Sequence, residues 1–225
     1  MAPALALYRS TIGKKVAMAL TGLILVGFVV AHMLGNLKIF TGSQHLNEYG
    51  EFLRTVGEPL FPYSALLWIA RIVLLGSVVV HIVAATQLTM LDRASRPERY
   101  VFHKKQQATY ASLTMRWGGL IILLFVIYHI LHFTTGAAHG NFIEGDVYHN
   151  VVSGFQVWYV SVVYIAAMVA LGFHLYHGVW SMFQTLGLNS SKWNGLLRGL
   201  SVLTALVVAG GNILIPVAVL AGFLS

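Results

Sequence analysis

Five stretches of this 225-residue chain carry the length and apolarity of a membrane-crossing helix. About 20 mostly apolar residues, at ~1.5 Å of rise each, cross a hydrocarbon layer. The pattern meets that requirement over residues 16–40, 63–91, 116–136, 156–186 and 196–223. The first span is uncharged between Lys15 and Lys38, and the second is interrupted only by Arg71. The third opens at Arg116 and is ended by Thr134, Thr135, Gly136 and the polar stretch through Asp146. Gly187 and Asn189 stop the fourth, and Pro216 predicts a kink in the fifth. Between the first two spans, residues 44–54 set Leu46, Phe52 and Leu53 among polar neighbours, a pattern that fits a short interfacial helix or a plain loop equally well. The chain shows no repeat, no low-complexity tract and no soluble domain, so it reads as one membrane domain, 1–225. Its basic start is no signal peptide, because the apolar run is too long for an h-region and no Ala-x-Ala site follows it.

Composition agrees. Apolar residues make up 57% of the chain and charged residues 9%, against about 45–50% and 25% in soluble domains. Too few charges remain to cover a soluble surface, and too many apolar residues are present for disorder. With no cysteine, disulfide scaffolds, zinc ribbons and self-held iron–sulfur clusters are excluded, and any redox centre uses other ligands. The net charge of +7 does not point to nucleic acid, which calls for a basic face on a soluble fold. It follows membrane topology instead. Arg9, Lys14, Lys15, Arg93, Arg96, Arg99, Lys104, Lys105, Arg116, Lys192 and Arg198 fall on one side of the five spans; Lys38, Arg54 and Arg71 fall on the other. The positive-inside rule then sets the N-terminus in the cytoplasm and the C-terminus outside.

Ten histidines stand out in a chain so poor in ionisable groups. His32 lies in the first span, His81 in the second, His129 and His132 in the third, His174 and His177 in the fourth, and the fifth has none. A single such residue is as readily a hydrogen-bonded packing group as a ligand. Four consecutive spans each offering one point to ligation. Imidazole is the commonest metal ligand, and facing helices build cofactor sites. Zinc or copper more usually adds carboxylate or sulfur, and the spans contain no Asp or Glu. Histidines alone in an apolar interior suit haem iron with two axial imidazoles, and four of them make two haems. Such flat groups ask for small neighbours, available at Gly22, Gly27, Gly35, Gly76, Gly118, Gly119, Gly172 and Gly178, although ordinary helix packing explains each glycine as well. By helical rise, His32 is about 25 Å from the cytoplasmic boundary and His81 about 16 Å, so one haem belongs nearer each face. His129 and His174 both come out at about 20 Å; depth alone pairs His132 with His32 and His177 with His81, within an error of about one turn.

These residues resemble the dihaem cytochrome b membrane-anchor subunit of succinate dehydrogenase and fumarate reductase (succinate:quinone oxidoreductase), in its single-chain five-helix form. The resemblance rests on Ala-His32-Met-Leu-Gly-Asn, on Val-His81-Ile, on Arg116 followed thirteen residues later by Tyr-His129, and on His174-Leu-Tyr-His-Gly178-Val-Trp180-Ser181. The last is similar to the family's His-x-x-x-Gly-x-Trp-Ser signature. The resemblance implies an all-α integral membrane protein with the haems inside the bundle of the first four helices. It implies axial ligands His32 and His129 for an outer haem b, and His81 and His174 for an inner one. It leaves His132 and His177, on the same faces as those ligands, as packing residues or contacts of haem or quinone. Cationic partners for haem propionates are Arg9, Lys14, Lys15 and Arg116 at the inner face and Arg71 near the outer one, where snorkelling to headgroups accounts for Arg71 equally. Ser77, one turn before His81, is a candidate hydrogen-bond partner for it.

The resemblance further implies succinate oxidation at FAD in a flavoprotein subunit, transfer through an iron–sulfur subunit at the cytoplasmic face, and then passage through this chain's haems to a quinone, usually menaquinone in the dihaem form. The setting implied is a bacterial cytoplasmic (inner) membrane. Quinone reduction consumes protons, and Glu51, Glu58 and His132 are the candidate groups at an outer quinone site, with Glu48, Glu144 and Asp146 the other acids nearby. An inner quinone site beside the iron–sulfur partner is equally open, and the basic stretch 93–105 suits docking of that partner. Three rivals remain: a dihaem b subunit of a formate dehydrogenase, hydrogenase or nitrate reductase, a proton-coupled transporter with a histidine relay, and a purely structural anchor.

Overall fold

The computed structural model describes residues 8–95 and 110–225. Among them the regular elements are all helical: α1 (Thr11–Asn36), tightening into a 3-10 turn (Leu37–Thr41); α2 (Ser43–Thr55); α3 (Ala65–Ala94); α4 (Tyr110–His129), running on into a π turn (Ile130–Thr134); α5 (Val147–Gln156); α6 (Trp158–Thr185); and α7 (Asn194–Leu220). Of these, α1, α3, α4, α6 and α7 are long and apolar enough to cross a membrane. Residues 44–54 fall in a helix, and α5 occupies a connection in which hydropathy gives no element.

Local chemistry explains the boundaries. Ser10 Oγ accepts a hydrogen bond from the Gly13 amide at 2.9 Å, capping α1 ahead of its apolar run. At the end of α6, Gly187 takes φ +71, and the Gly187 and Leu188 amides close back on Gln184 and Phe183. That is the Schellman arrangement that favours a residue without a Cβ. Val157, at ψ 102, separates α5 from α6, and the buried Ser161 hydroxyl donates to the Phe155 carbonyl across the break at 2.6 Å. α7 continues as helix through the buried Pro216.

The closest packing joins α6 to α7, α1 to α3 and α4 to α6, with α1 also lying against α6 and α7. One end of the bundle, where α1, α4 and α7 begin, is called here the basic end. At that end Arg116 pairs with Asp92 at 3.3 Å, tying α4 to α3, and the Arg198 guanidinium of α7 sits 4.7 Å from the centre of the Trp180 ring of α6. The far end is roofed by α2 and α5. There Leu46 of α2 and Val152 and Phe155 of α5 join Ile39, Val160, Tyr164 and Ile215 in the main buried cluster. Away from this core the helices present Leu23, Ile72, Leu75, Leu124, Val162 and Leu206 outward, the expected surface of helices whose solvent is lipid. Exposed Trp68, Trp158 and Tyr159 at the far end and Trp117 and Trp193 at the basic end form the two aromatic belts of a membrane-spanning bundle.

The roof is pinned by one polar knot. Asp146 caps α5, its Oδ1 accepting from the His149 amide at 2.9 Å and from Asn47 Nδ2 of α2 at 3.0 Å. Asn47 Oδ1 in turn accepts from the Tyr148 amide at 3.0 Å. The two donations, the backbone one first, hold the Asp146 carboxyl below its ordinary 3.8. A depressed folded value contributes stability that is present above the unfolded value and lost as pH falls through the folded one. Asp146→Ala is therefore expected to lower stability by about 1 kcal/mol at pH 7, read by thermal unfolding in detergent. The gap to the unaltered protein should narrow as pH falls below 3.8; a constant gap down to strong acid would show that the carboxylate's charge is not what holds the roof.

Candidate functional site

Four of the imidazoles meet in two pairs. His32 of α1 and His129 of α4 face each other with ring centroids 5.8 Å apart and planes at 90°. His81 of α3 and His174 of α6 lie 6.4 Å apart with planes at 59°. Neither α1 with α4 nor α3 with α6 is among the closely packed helix pairs, so in each case the rings reach toward each other across a gap. Two metal–imidazole bonds of about 2 Å each, plus one ring radius on either side, span about 6 Å, the separation found in both pairs. His132 and His177, the partners favoured by depth alone, enter neither pair.

Each ring is held by its helix surroundings. His81 Nδ1 lies 3.1 Å from the Met18 carbonyl of α1 and 3.3 Å from the Thr21 hydroxyl. A carbonyl only accepts, so Nδ1 carries the hydrogen and Nε2 offers its lone pair, the form a metal needs. Ser77 does not take this part. Its hydroxyl donates to the Val73 carbonyl of its own helix at 2.8 Å, the usual back-bonding of a helical serine. His174 Nδ1 is buried with no hydrogen-bond partner, an unsatisfied state that costs about 1–3 kcal/mol in an apolar interior unless a ligand relieves it. His32 stacks on Phe28 at 5.3 Å.

Two of the glycines sit at these rings. A Cβ on Gly22 would come within 3.4 Å of His81 Cε1, and one on Gly119 within 3.7 Å of His174 Cε1. Beside Gly27, Gly76, Gly118 and Gly178 a Cβ would meet nothing within 4 Å. Gly35 instead lies under the Tyr49 ring, and Gly172 against Ala209 in the α6–α7 contact. Among the described residues, no three His, Asp or Glu side chains group to hold a metal. Imidazoles paired at about 6 Å are a donor set that an iron porphyrin with two axial ligands would accept.

His132 leads a different existence. The Thr135 amide bonds to the Ile130 carbonyl, an i→i+5 closure that adds a residue to the turn carrying His132. His132 is 2% exposed and its ring stacks on Tyr128 at 5.4 Å and on His139 at 4.7 Å. Its Nδ1 is 3.0 Å from the Tyr164 hydroxyl of α6, and the same hydroxyl is 3.4 Å from His129 Nδ1. His139 is itself fixed: Nδ1 accepts from the Asn141 amide at 3.1 Å, so Nε2 donates to the Asn150 carbonyl at 2.8 Å.

A cavity of about 520 Å³ opens at the far end, with Arg54, Arg71, Phe133, Glu144 and Asn150 among its walls. Arg71 also lies 4.8 Å from the centre of the Trp68 ring. Glu51 does not line the cavity. It pairs with Arg54 at 3.4 Å and accepts from the Tyr63 hydroxyl at 3.3 Å. Glu58 is exposed and His132 buried, so these three are not brought to one point. At the basic end Arg116 is engaged by Asp92, and Lys14 Nζ donates to the Tyr8 and Arg9 carbonyls at 3.1 and 2.9 Å. Arg96, Arg99, Lys104 and Lys105 of the basic stretch lie outside the described residues.

Sequence reasoning missed Tyr164, Met18 and Thr21. Tyr164 looks like any aromatic of an apolar span, and the Met18 contact uses a backbone carbonyl that no residue type advertises.

A family model described as succinate dehydrogenase/fumarate reductase transmembrane subunit matches residues 91–213. No curated protein and no solved structure matches the chain.

The rings around His132 make one expectation specific. A Cβ on Gly154 of α5 would stand 2.9 Å from His132 Cε1, 3.0 Å from Phe133 Cε1 and 3.1 Å from His139 Nε2. Gly154→Val is expected to lower stability by about 1–3 kcal/mol through overpacking. An unchanged unfolding temperature would mean that α5 does not press on these rings.

Proposed function

The chain belongs to the succinate dehydrogenase/fumarate reductase transmembrane subunit family, and we propose that it is the dihaem cytochrome b of such a complex. The observation that carries the reading is the pair of imidazole pairs on four successive membrane helices, each with an iron-sized gap. Bound in those gaps, two haems b would pass electrons one at a time from an iron–sulfur subunit, itself fed by a flavoprotein, to a quinone.

The chain's own residues then divide the work. His32 and His129 would hold the group nearer the far end; His81 and His174 would hold the one nearer the basic end. The Met18 carbonyl keeps His81 in the ligating tautomer and makes its ring a stronger donor. Gly22 and Gly119 leave the His81 and His174 rings unhindered. Arg71, which faces the far-end cavity, would neutralise a propionate there; Arg9 and Lys15 would offer the same at the basic end, as would Arg116 and Lys14 on release from Asp92 and from the Tyr8 and Arg9 carbonyls.

The charge asymmetry supports a basic end in the cytoplasm of a bacterial cell, with the soluble subunits docked on it. The quinone, menaquinone by the family's dihaem habit, is taken at the far end. The cavity there adjoins His132 through Phe133, and Arg54 connects it to Glu51. Glu51 and Glu58 stand on the aqueous side, placed to supply the protons that reduction consumes.

Single substitutions separate the two centres. His32→Ala and His129→Ala are each expected to remove the same one of two low-spin bis-imidazole haem signals from the purified complex, and His81→Ala and His174→Ala the other. Haem content per complex and the reduced absorption spectrum check this. A colourless complex from the unaltered chain, or signals that survive all four changes, would end the cytochrome reading.

A further inference from the structure

Tyr164 stands where one hydroxyl has to satisfy two imidazoles. It is 5% exposed, its ring lies 5.9 Å from that of His129 and 5.7 Å from that of His132, and its oxygen is within hydrogen-bond reach of both Nδ1 atoms. A phenol carries one hydrogen, so it donates to one of these nitrogens and accepts from the other. Only two arrangements satisfy all three groups. In one, His132 Nδ1–H donates to Tyr164 and Tyr164 donates to His129; the hydrogen of His129 then sits on Nε2. In the other, His129 Nδ1–H donates to Tyr164 and Tyr164 donates to His132 Nδ1, which leaves His129 Nε2 bare.

A metal bond from His129 Nε2 is compatible with the second arrangement alone. We propose that Tyr164, backed by His132, is the positioning residue of the His129 ligand: the hydroxyl accepts the His129 Nδ1 hydrogen, passes its own to His132, and so fixes the tautomer and plane of the axial ring. This rests on the reading of His32 and His129 as haem ligands and assigns that site a control absent from the other, where the Met18 carbonyl does the accepting. It also gives the buried His132 a task that needs neither haem nor quinone contact. The two imidazoles, one closing α4 and one in the π turn that follows it, reach a single hydroxyl of α6. An acceptor behind a ligating imidazole raises its basicity and favours the ferric state; loss of that acceptor raises the haem potential.

The test uses the purified complex with redox titration of both haems and their low-spin electron paramagnetic resonance spectra. His129→Ala first identifies which signals belong to this site. Tyr164→Phe, which keeps the ring and deletes the hydroxyl, is expected to raise the midpoint potential of that haem and shift its largest g value, leaving the other haem unmoved. His132→Leu, which keeps the hydroxyl but removes what it donates to, is expected to give a smaller shift in the same haem. Unchanged potentials and g values in Tyr164→Phe, or equal changes in both haems, overturn the proposal. If Tyr164→Phe loses this haem altogether, His132→Leu decides: a shift confined to the same haem supports the proposal and no shift overturns it. An unaltered complex without two bis-imidazole signals would overturn the dihaem reading itself, a failure distinct from two haems that ignore Tyr164.

Discussion

An imidazole within a bilayer has two nitrogens to satisfy and no water to satisfy them, and much of this bundle is arranged around that shortage. A charged or unpartnered group there is costly, so each ring either borrows a partner from another helix or leaves a nitrogen for a ligand. His81 borrows the Met18 carbonyl from α1, across the tight α1–α3 contact. His129 and His132 share the Tyr164 hydroxyl of α6, across the α4–α6 contact. The closely packed helix pairs thus supply the hydrogen bonds, and the more widely spaced pairs supply the gaps. One set of helices meets both demands because α1 lies against α3 and α4 against α6 while the facing rings cross between them.

The spans were legible in the sequence because a bilayer imposes a length and a polarity that few other settings share. Each of the five stretches overlaps one of the long helices, although the helices holding the first and third begin five and six residues earlier, and glycine stops such as Gly187 coincide with helix ends. The pairing of His32 with His129 was less legible. Rise per residue favoured His132, within an error of about one turn, and the family signature, not the geometry of the sequence, favoured His129. In three dimensions the His129 ring meets that of His32, while His132, carried by the π turn, stacks on His139. A register change of one residue leaves no mark in composition.

Helix α5 escaped notice for a related reason. Its apolar residues, Val152 and Phe155 among them, are interleaved with Asn150, Ser153 and Gly154 in a ten-residue segment too short to register as a span. Ser77 failed as a partner for His81 because a helical serine finds its nearest carbonyl one turn back before it finds a neighbour. In both cases the competing interaction was local, and hydropathy does not see it.

The order of the pairs along the chain has a consequence for biosynthesis. One pair joins the first membrane helix to the third and the other joins the second to the fourth, so neither half of the polypeptide contains a complete pair. As the nascent chain leaves the translocon, neither imidazole pair can form until the third helix has been inserted, and the second pair waits for the fourth. A gene divided between the second and third helices would encode two fragments in which both imidazole pairs are intermolecular.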